Sequence, residues 1–163
     1  MPNGSRRALL GAGGALLLAA ASNHRALAQT VGGRLRIGVI GSGHIGGTIG
    51  GLLVKAGHPV LFSSRHPEEL KELVTGLRPL AKAGTVAQAI TFGEVIFIGV
   101  PYMALPQIGR DYGVVLKGKI VLDACNAVPA RDGAISAEVE RNGVGFTSQK
   151  YLPGTRLVRA FNT

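Results

Sequence analysis

The stretch Arg34–Gly51, RLRIGVIGSGHIGGTIGG, decides the fold of this chain. It opens with apolar, mostly β-branched residues that predict a strand buried on both faces of a parallel sheet: Leu35, Ile37, Val39 and Ile40. The strand ends at a glycine-rich turn, Gly41–Gly46, of the form G-x-G-x-x-G. Apolar residues then recur at helical spacing and predict one face of a helix that closes at Lys55-Ala56-Gly57: Ile45, Ile49, Leu52 and Leu53.

The three glycines of the turn have separate physical roles. Gly41 allows a tight turn, Gly43 lets the backbone approach a pyrophosphate, and Gly46 lets the helix pack close to the strand. The first turn of the helix offers N–H groups and the positive end of the helix dipole to the phosphates. A strand before this motif and a helix after it therefore predict dinucleotide binding.

The second predicted strand ends in residues suited to a phosphate. His58–Phe62 begins this strand, and Ser63-Ser64-Arg65 ends it about 22 residues past Gly41, where the ribose-reading residue of a dinucleotide site belongs. An NAD site places a carboxylate there, and this chain has none. The Arg65 guanidinium instead matches a 2′-phosphate, with charge-assisted bonds worth about tenfold to a hundredfold in preference for NADP over NAD. The alternative is that Arg65 is an ordinary exposed loop arginine.

The rest of the chain continues the alternation of strands and helices. We predict an α/β fold, a doubly wound, mainly parallel Rossmann sheet with helices on both faces. The strand at 95–100 lies beside the first strand in such a sheet, so the loop Pro101–Ala104 either faces the cofactor or is a structural turn. The other predicted segments are a helix from Pro67 with Leu70, Leu73, Val74 and Leu77 at helical spacing, a connection with room for a short strand at 79–84, a helix capped by Thr85 through Ile90, a helix at 105–112, a strand at 119–124, a turn at 131–133, a short helix containing Ile135 and Val139, and a strand at 157–161.

Two residues follow the predicted fifth strand on the same edge as the glycine turn. Asn126 offers both a donor and an acceptor, and could read a nicotinamide amide or a ribose. Cys125 is interpreted as a small packing residue, because no basic partner is visible near it in the sequence. The sequence identifies no catalytic residue and predicts no metal site, since the four histidines are scattered and there is no second cysteine.

Composition narrows the possible partners. The chain has 163 residues, of which 46% are hydrophobic and 17% charged, as expected of one globular domain. Its net charge is +9, but the basic residues form no run longer than two and do not interleave with aromatic residues, so we predict no nucleic-acid partner. The predicted partner is a small-molecule hydride acceptor, and a homodimer is left open.

Residues 1–28 have the pattern of an export signal. Arg6-Arg7 precedes an apolar run rich in Leu, Ala and Gly, and Ala26-Leu27-Ala28 supplies the small residues of a cleavage site before Gln29. We predict a twin-arginine signal peptide at 1–28, a periplasmic or secreted domain at 29–163, and no membrane span after cleavage. The alternatives are an uncleaved anchor and an overextended start.

Several motifs together resemble the NADP-binding domain of the F420-dependent NADP reductase family, whose relatives include the amino-terminal domains of the STEAP metalloreductases. They are Ile37–Gly46, Ser63-Ser64-Arg65, Val100-Pro101, Asp123–Asn126 and Ala160–Thr163. The resemblance implies hydride transfer between NADP(H) and a flavin or deazaflavin. It implies that Gly41, Ser42, Gly43, His44 and Ile45 hold the pyrophosphate, that Ser63, Ser64 and Arg65 hold the 2′-phosphate, and that Val100, Pro101 and Asn126 lie along the nicotinamide half.

We expect this chain to lack the C-terminal helical portion that helps to form the acceptor site in the family. Two alternative functions therefore stay open at this point. One is an imine or ketone reductase of the pyrroline-carboxylate reductase type, which shares this amino-terminal architecture. The other is a non-catalytic NADP-binding module.

Overall fold

The computed structural model describes residues 33–161, in which strands and helices alternate. The strands are β1 (Ile37–Ile40), β2 (Val60–Ser63), β3 (Ala81–Gly84), β4 (Val95–Ile98), β5 (Ile120–Asp123) and β6 (Arg156–Arg159). The α-helices are α1 (His44–Lys55), α2 (Lys71–Thr75), α3 (Val86–Phe92), α4 (Leu105–Leu116), α5 (Pro129–Asp132), α6 (Ala134–Asn142) and α7 (Val144–Tyr151), with 3-10 turns at Pro67–Leu70 and Tyr102–Ala104. The predicted signal peptide and the residues Asn162 and Thr163 lie outside the described range.

The six strands form one sheet in the order β3-β2-β1-β4-β5-β6, and every neighbouring pair is parallel. This is the doubly wound order in which the direction of winding reverses between β1 and β4. The predicted Rossmann sheet is confirmed. Because all strands run the same way, the loops that follow β1, β2, β4, β5 and β6 meet at one edge of the sheet.

Helices cover both faces of the sheet, as predicted. One core lies under α3, α4 and α7 and includes Ile96, Ile98 and Leu105. The other lies under α1 and α2 and includes Val39, Phe62 and Phe97. β1 contributes to both cores because its residues are buried on each face.

The prediction of the apolar face of α1 is wrong in part. The buried residues of this helix are Gly46, Gly50, Gly51 and Val54, whereas Ile45 and Leu52 are about half exposed. A Cβ atom at Gly50 would lie 2.3 Å from the Phe62 ring. Glycine therefore lets α1 sit closer to the sheet than its larger apolar residues would allow.

The region after β5 is more helical than predicted. The predicted turn at 131–133 begins inside the short helix α5, and α7 was not predicted at all. The α7 segment, VGFTSQKY, has no apolar periodicity because its buried residues are polar. Thr147 Oγ1 donates to the Gly143 carbonyl, and Ser148 Oγ shares a 2.9 Å hydrogen bond with Tyr102 Oη. Across residues 33–161, the helices are too short or too polar to cross a bilayer.

Candidate functional site

Two glycines of the turn after β1 are required by the packing of the turn itself. Gly41 has φ +87°, a left-handed conformation, and a Cβ atom there would lie 2.5 Å from Val100 Cγ1. A Cβ atom at Gly46 would lie 1.9 Å from the Gly41 carbonyl oxygen. Both positions exclude a side chain for steric reasons, as the sequence motif predicts.

Gly43 is different, because a Cβ atom there would point into open space. Gly43 is the N-cap of α1, is exposed, and provides no side-chain cap to the helix. The first turn of α1 also contains no acidic residue. Its backbone N–H groups are therefore available to a bound anion, and a smooth backbone surface lies next to them. These features fit the diphosphate of a dinucleotide.

A cleft of about 420 Å³ opens beside this helix start, between the ends of β1, β4 and β5. It lies at the point where the strand order reverses, which is where open α/β sheets bind ligands. The cleft brings together six of the residues singled out in the sequence. Its lining consists of Gly43, His44, Ile45, Gly99, Val100, Pro101, Ala124, Asn126, Val128 and Arg131.

Ser63 is not presented on the surface with Ser64 and Arg65. Its side chain is fully buried, and its hydroxyl donates to the Val39 carbonyl over 2.7 Å. The Ser63 carbonyl in turn accepts hydrogen bonds from the backbone N–H and the hydroxyl of Ser42, at 3.2 and 3.0 Å. Ser63 thus attaches the glycine turn to the end of β2. A phosphate beyond β2 would meet Ser64 and Arg65.

Arg65 is exposed, and within residues 33–161 its guanidinium makes no hydrogen bond or ion pair. Its neighbour Ser64 accepts a 3.1 Å hydrogen bond from the His66 N–H, which turns the chain immediately after β2. The following acidic residue, Glu68, lies 3.3 Å from His66 Nδ1. Arg65 therefore keeps its donors available at the edge of the sheet where the glycine turn lies.

Asn126 lies at the mouth of the cleft and is held by residues that the sequence did not single out. Its side-chain oxygen accepts from Arg159 Nη2 at 3.1 Å, and its backbone carbonyl accepts from Arg131 Nη2. Arg159 comes from the end of β6, remote in sequence. No local pattern could have linked it to Asn126, because the two residues meet only when β6 joins the sheet beside β5.

Asp132 is another residue that the sequence did not single out, and it joins two loops of the cleft. This buried carboxylate accepts from the N–H groups of Met103, after β4, and Val128, after β5, at 3.1 and 2.7 Å. It also pairs with Arg131 at 2.8 Å. The hydrogen bonds from Arg131 hold the pKa of Asp132 below its ordinary value, with the two backbone donors acting in the same direction.

The lowered pKa predicts a dependence of stability on pH. An unfolded chain binds a proton at Asp132 near pH 4, where the folded chain does not, so this contribution to stability is present above about pH 4 and is lost as the pH falls through the folded-state pKa. We expect Asp132→Asn to reduce the free energy of unfolding at neutral pH by about 1–3 kcal/mol. Urea unfolding at a series of pH values should show that the difference in unfolding free energy between Asp132→Asn and the wild type becomes smaller below about pH 4.

Asp111→Asn is the control for that series, because Asp111 is an exposed residue of α4 whose carboxylate accepts a hydrogen bond from Gln107 of the same helix. This variant should stay close to the wild type across the series. If Asp132→Asn lowered the unfolding free energy by the same amount at neutral and acid pH, the lowered pKa of Asp132 would be contradicted.

Cys125 and Tyr102 are packing residues. Cys125 is buried, as predicted, and its burial raises the pKa of the thiol well above the ordinary range. Tyr102, in the loop that the sequence placed near the cofactor, is turned into the core, where its hydroxyl donates to the Val144 carbonyl at 3.1 Å. Of that loop, Pro101 lines the cleft. Among residues 33–161, no group of three His, Cys, Asp or Glu side chains is placed to hold a metal ion.

The fold and this cleft define a nicotinamide-dinucleotide-binding domain of an oxidoreductase. A family model described as NADP oxidoreductase coenzyme F420-dependent matches residues 36–127, so the chain belongs to that family.

Among curated proteins, the chain is 26% identical over 138 residues to the NAD(P)+ glycerol-3-phosphate dehydrogenase of Azotobacter vinelandii. The match covers 77% of this chain and 41% of that enzyme. The chain therefore spans about two fifths of the length of this relative.

Two solved structures show the same fold. A hypothetical protein from Sinorhizobium meliloti is 27% identical, with a TM-score of 0.60 over 80% of this chain and 62% of its own. The glycerol-3-phosphate dehydrogenase of Coxiella burnetii is 16% identical, with a TM-score of 0.51 over 80% of this chain and 54% of its own.

Proposed function

We propose that this chain binds NADP(H) in preference to NAD(H) and positions it for hydride transfer to a flavin- or deazaflavin-type acceptor. The observation that carries the proposal is the open backbone at Gly43, at the start of a helix without an acidic first turn. It is joined by Arg65, which is exposed and has no partner among residues 33–161. Membership of the family described as an NADP oxidoreductase supports the same nucleotide.

The proposed cofactor occupies three adjacent parts of the sheet edge. Gly41 to Ile45 hold the diphosphate, Ser64 and Arg65 bind the 2′-phosphate, and the nicotinamide half lies along the residues Val100, Pro101 and Asn126. Ser63 stabilises this arrangement by attaching the glycine turn to β2. NADPH supplies a hydride from its nicotinamide ring, so the protein has to orient the ring and needs no acid or base of its own for that transfer.

Arg65→Ala tests the nucleotide preference. We expect it to weaken NADPH binding by about 1–3 kcal/mol, roughly tenfold to a hundredfold, because a charge-assisted bond to the 2′-phosphate is lost. NADH binding should hardly change, since NADH has no phosphate at that position. The measurement is a fluorescence titration of the 163-residue chain with each nucleotide.

Arg78→Ala is the matched control. Arg78 is also exposed but lies before β3, at the opposite end of the strands from the glycine turn. The control should bind both nucleotides as the wild type does. Equal affinity of the wild type for NADPH and NADH would refute the proposed role of Arg65.

Turnover assays separate the proposed enzyme from its alternatives. Flavin or deazaflavin reduction by bound NADPH supports hydride transfer to that acceptor class. Reduction of a cyclic imine would instead identify an imine reductase. Tight NADPH binding without turnover of any of these acceptors would identify a non-catalytic NADP-binding module.

A further inference from the structure

We propose that Arg131 binds a phosphate group on the hydride acceptor, so that the cleft prefers a phosphorylated flavin or deazaflavin to the uncharged compound with the same ring. The inference rests on the proposed function and adds to it the chemical class of the acceptor and a residue that selects it. Arg131 lies in the short helix α5, which follows β5, and it lines the cleft.

The strand order places Arg131 toward the nicotinamide end of the cleft. In the order β1-β4-β5, β5 lies two strand spacings, about 10 Å, from the strand that precedes the glycine turn. The segment after β5 also contains Asn126, which we assign to the nicotinamide half. Hydride transfer brings the reacting atoms of the nicotinamide and the acceptor to about 3–3.5 Å, so the acceptor has to lie against this part of the cleft.

A buried carboxylate holds the guanidinium of Arg131 in place. Asp132 accepts from Arg131 Nε at 3.1 Å and from its Nη2 at 2.8 Å. The Asp132 side chain is fully enclosed, because the N–H groups of Met103 and Val128 occupy its remaining sides. By contrast, 44% of the Arg131 side chain is exposed. A ligand in the cleft therefore meets the cation of this pair and not its anion.

Part of the guanidinium is left for a ligand. An arginine side chain has five N–H donors, of which two are on Nη1. The Nε and Nη2 donors bind Asp132 and the backbone carbonyl of Asn126. Within residues 33–161, Nη1 makes no hydrogen bond. Two charged donors in a fixed position suit a phosphate, whose oxygens accept charge-assisted hydrogen bonds.

The rest of the cleft suits a ring compound that carries a negative charge. Among its lining residues in the described part of the chain there is no Asp or Glu to repel a phosphate. The apolar lining residues offer a surface to a flat aromatic ring, and they are Ile45, Val100, Pro101 and Val128. A phosphorylated flavin or deazaflavin combines such a ring with such a charge.

Arg131→Gln tests the inference by binding alone. The 163-residue chain is saturated with NADP+, and fluorescence quenching then measures the affinity for FMN and for riboflavin, which share one ring and differ by a phosphate. The wild type should bind FMN about tenfold more tightly, because a charge-assisted hydrogen bond is gained. Arg131→Gln should remove this preference and keep the riboflavin and NADP+ affinities within about threefold of the wild type. The 5-deaza analogues of both compounds give the same comparison for deazaflavins.

Arg36→Gln is the matched control. Arg36 is also an exposed arginine paired with a carboxylate, that of Glu94, at 3.4 Å. It precedes β1 and so lies at the opposite end of the strands from the cleft. This variant should prefer FMN to riboflavin as strongly as the wild type does.

A second pair of variants decides the question if Arg131→Gln does not fold. Val128 lines the cleft with its side chain 42% exposed, and its backbone N–H, which a substitution keeps, donates to Asp132. In Val128→Glu the new carboxylate would repel a phosphate and compete for Arg131. The preference for FMN over riboflavin should therefore be about tenfold lower in Val128→Glu than in Val128→Gln, which has a similar shape without the charge.

The results separate failure of this inference from failure of the proposed function. The role of Arg131 is overturned if the NADP+-loaded wild type binds the phosphorylated and uncharged compounds equally well or binds none of them. It is also overturned if Arg131→Gln still prefers FMN, if it loses riboflavin and NADP+ affinity to the same extent as FMN, or if Val128→Glu and Val128→Gln behave alike. Each of these results leaves the proposed nucleotide site standing. A wild-type chain that binds no nicotinamide nucleotide overturns the proposed function and this inference together.

Discussion

Gly43→Asp is expected to weaken nucleotide binding strongly while leaving the fold at least as stable as before. A side chain at Gly43 enters open space, so it causes no clash. Aspartate is a favoured N-cap, and its charge suits the start of α1, which together should raise stability by up to about 1 kcal/mol. The same carboxylate would occupy the N–H groups that we assign to the diphosphate and repel it. We expect NADPH affinity to fall at least about a hundredfold.

The measurements are an NADPH titration and a thermal unfolding curve on the 163-residue chain. Gly43→Ser is the matched control at the same position, because serine also caps a helix but carries no charge. It should lose about tenfold or less in affinity. If Gly43→Asp bound NADPH as tightly as the wild type, the diphosphate could not lie over the start of α1.

Gly46→Ala is expected to have the opposite effect, a loss of stability. A Cβ atom here would lie 1.9 Å from the Gly41 carbonyl oxygen and 3.2 Å from Val39 Cγ1. The first of these atoms belongs to the backbone of the turn and cannot rotate away. Overpacking commonly costs about 1–3 kcal/mol, and a clash with backbone belongs at or above the upper end of that range. The better helix propensity of alanine, at most about 1 kcal/mol, does not offset it.

Gly47→Ala provides the comparison one residue further along the same helix. Its Cβ atom would lie 3.5 Å from the Ser42 carbonyl oxygen, an ordinary contact. This variant should be as stable as the wild type or up to about 1 kcal/mol more stable. Urea unfolding measures both variants. An unfolding free energy for Gly46→Ala equal to that of the wild type would show that α1 and β1 are not packed as closely as described.

Local features of this chain were predictable from the sequence because their causes are local. The glycine turn, the start of α1 and its end before Gly57 all depend on residues within a few positions of one another. The cap of α3 is of the same kind. Thr85 Oγ1 accepts from the Gln88 N–H, and Gln88 Oε1 accepts from the Thr85 N–H, at 3.2 and 2.8 Å.

Features that depend on distant neighbours were not predictable. The spacing of Ile45 and Leu52 predicts an apolar helix face. The helix instead packs on the sheet through Gly50, because a side chain at that position would clash with the Phe62 ring on β2. Ser63 was grouped with Ser64 and Arg65, although the Val39 carbonyl draws its hydroxyl inward. The sequence does not predict helix α7, because its buried residues Thr147 and Ser148 are held by hydrogen bonds and not by apolar packing.

By itself, the sequence determined the class of fold and the edge of the sheet at which we look for the site, because a strand, a glycine turn and a helix in that order have few other uses. Only the tertiary structure decided which side chains face the cleft and what holds them there. Asp123 and Arg159 are far apart in the chain and become neighbours through the pairing of β5 with β6. Such contacts arise from the register of strands, and register is a property of the assembled sheet.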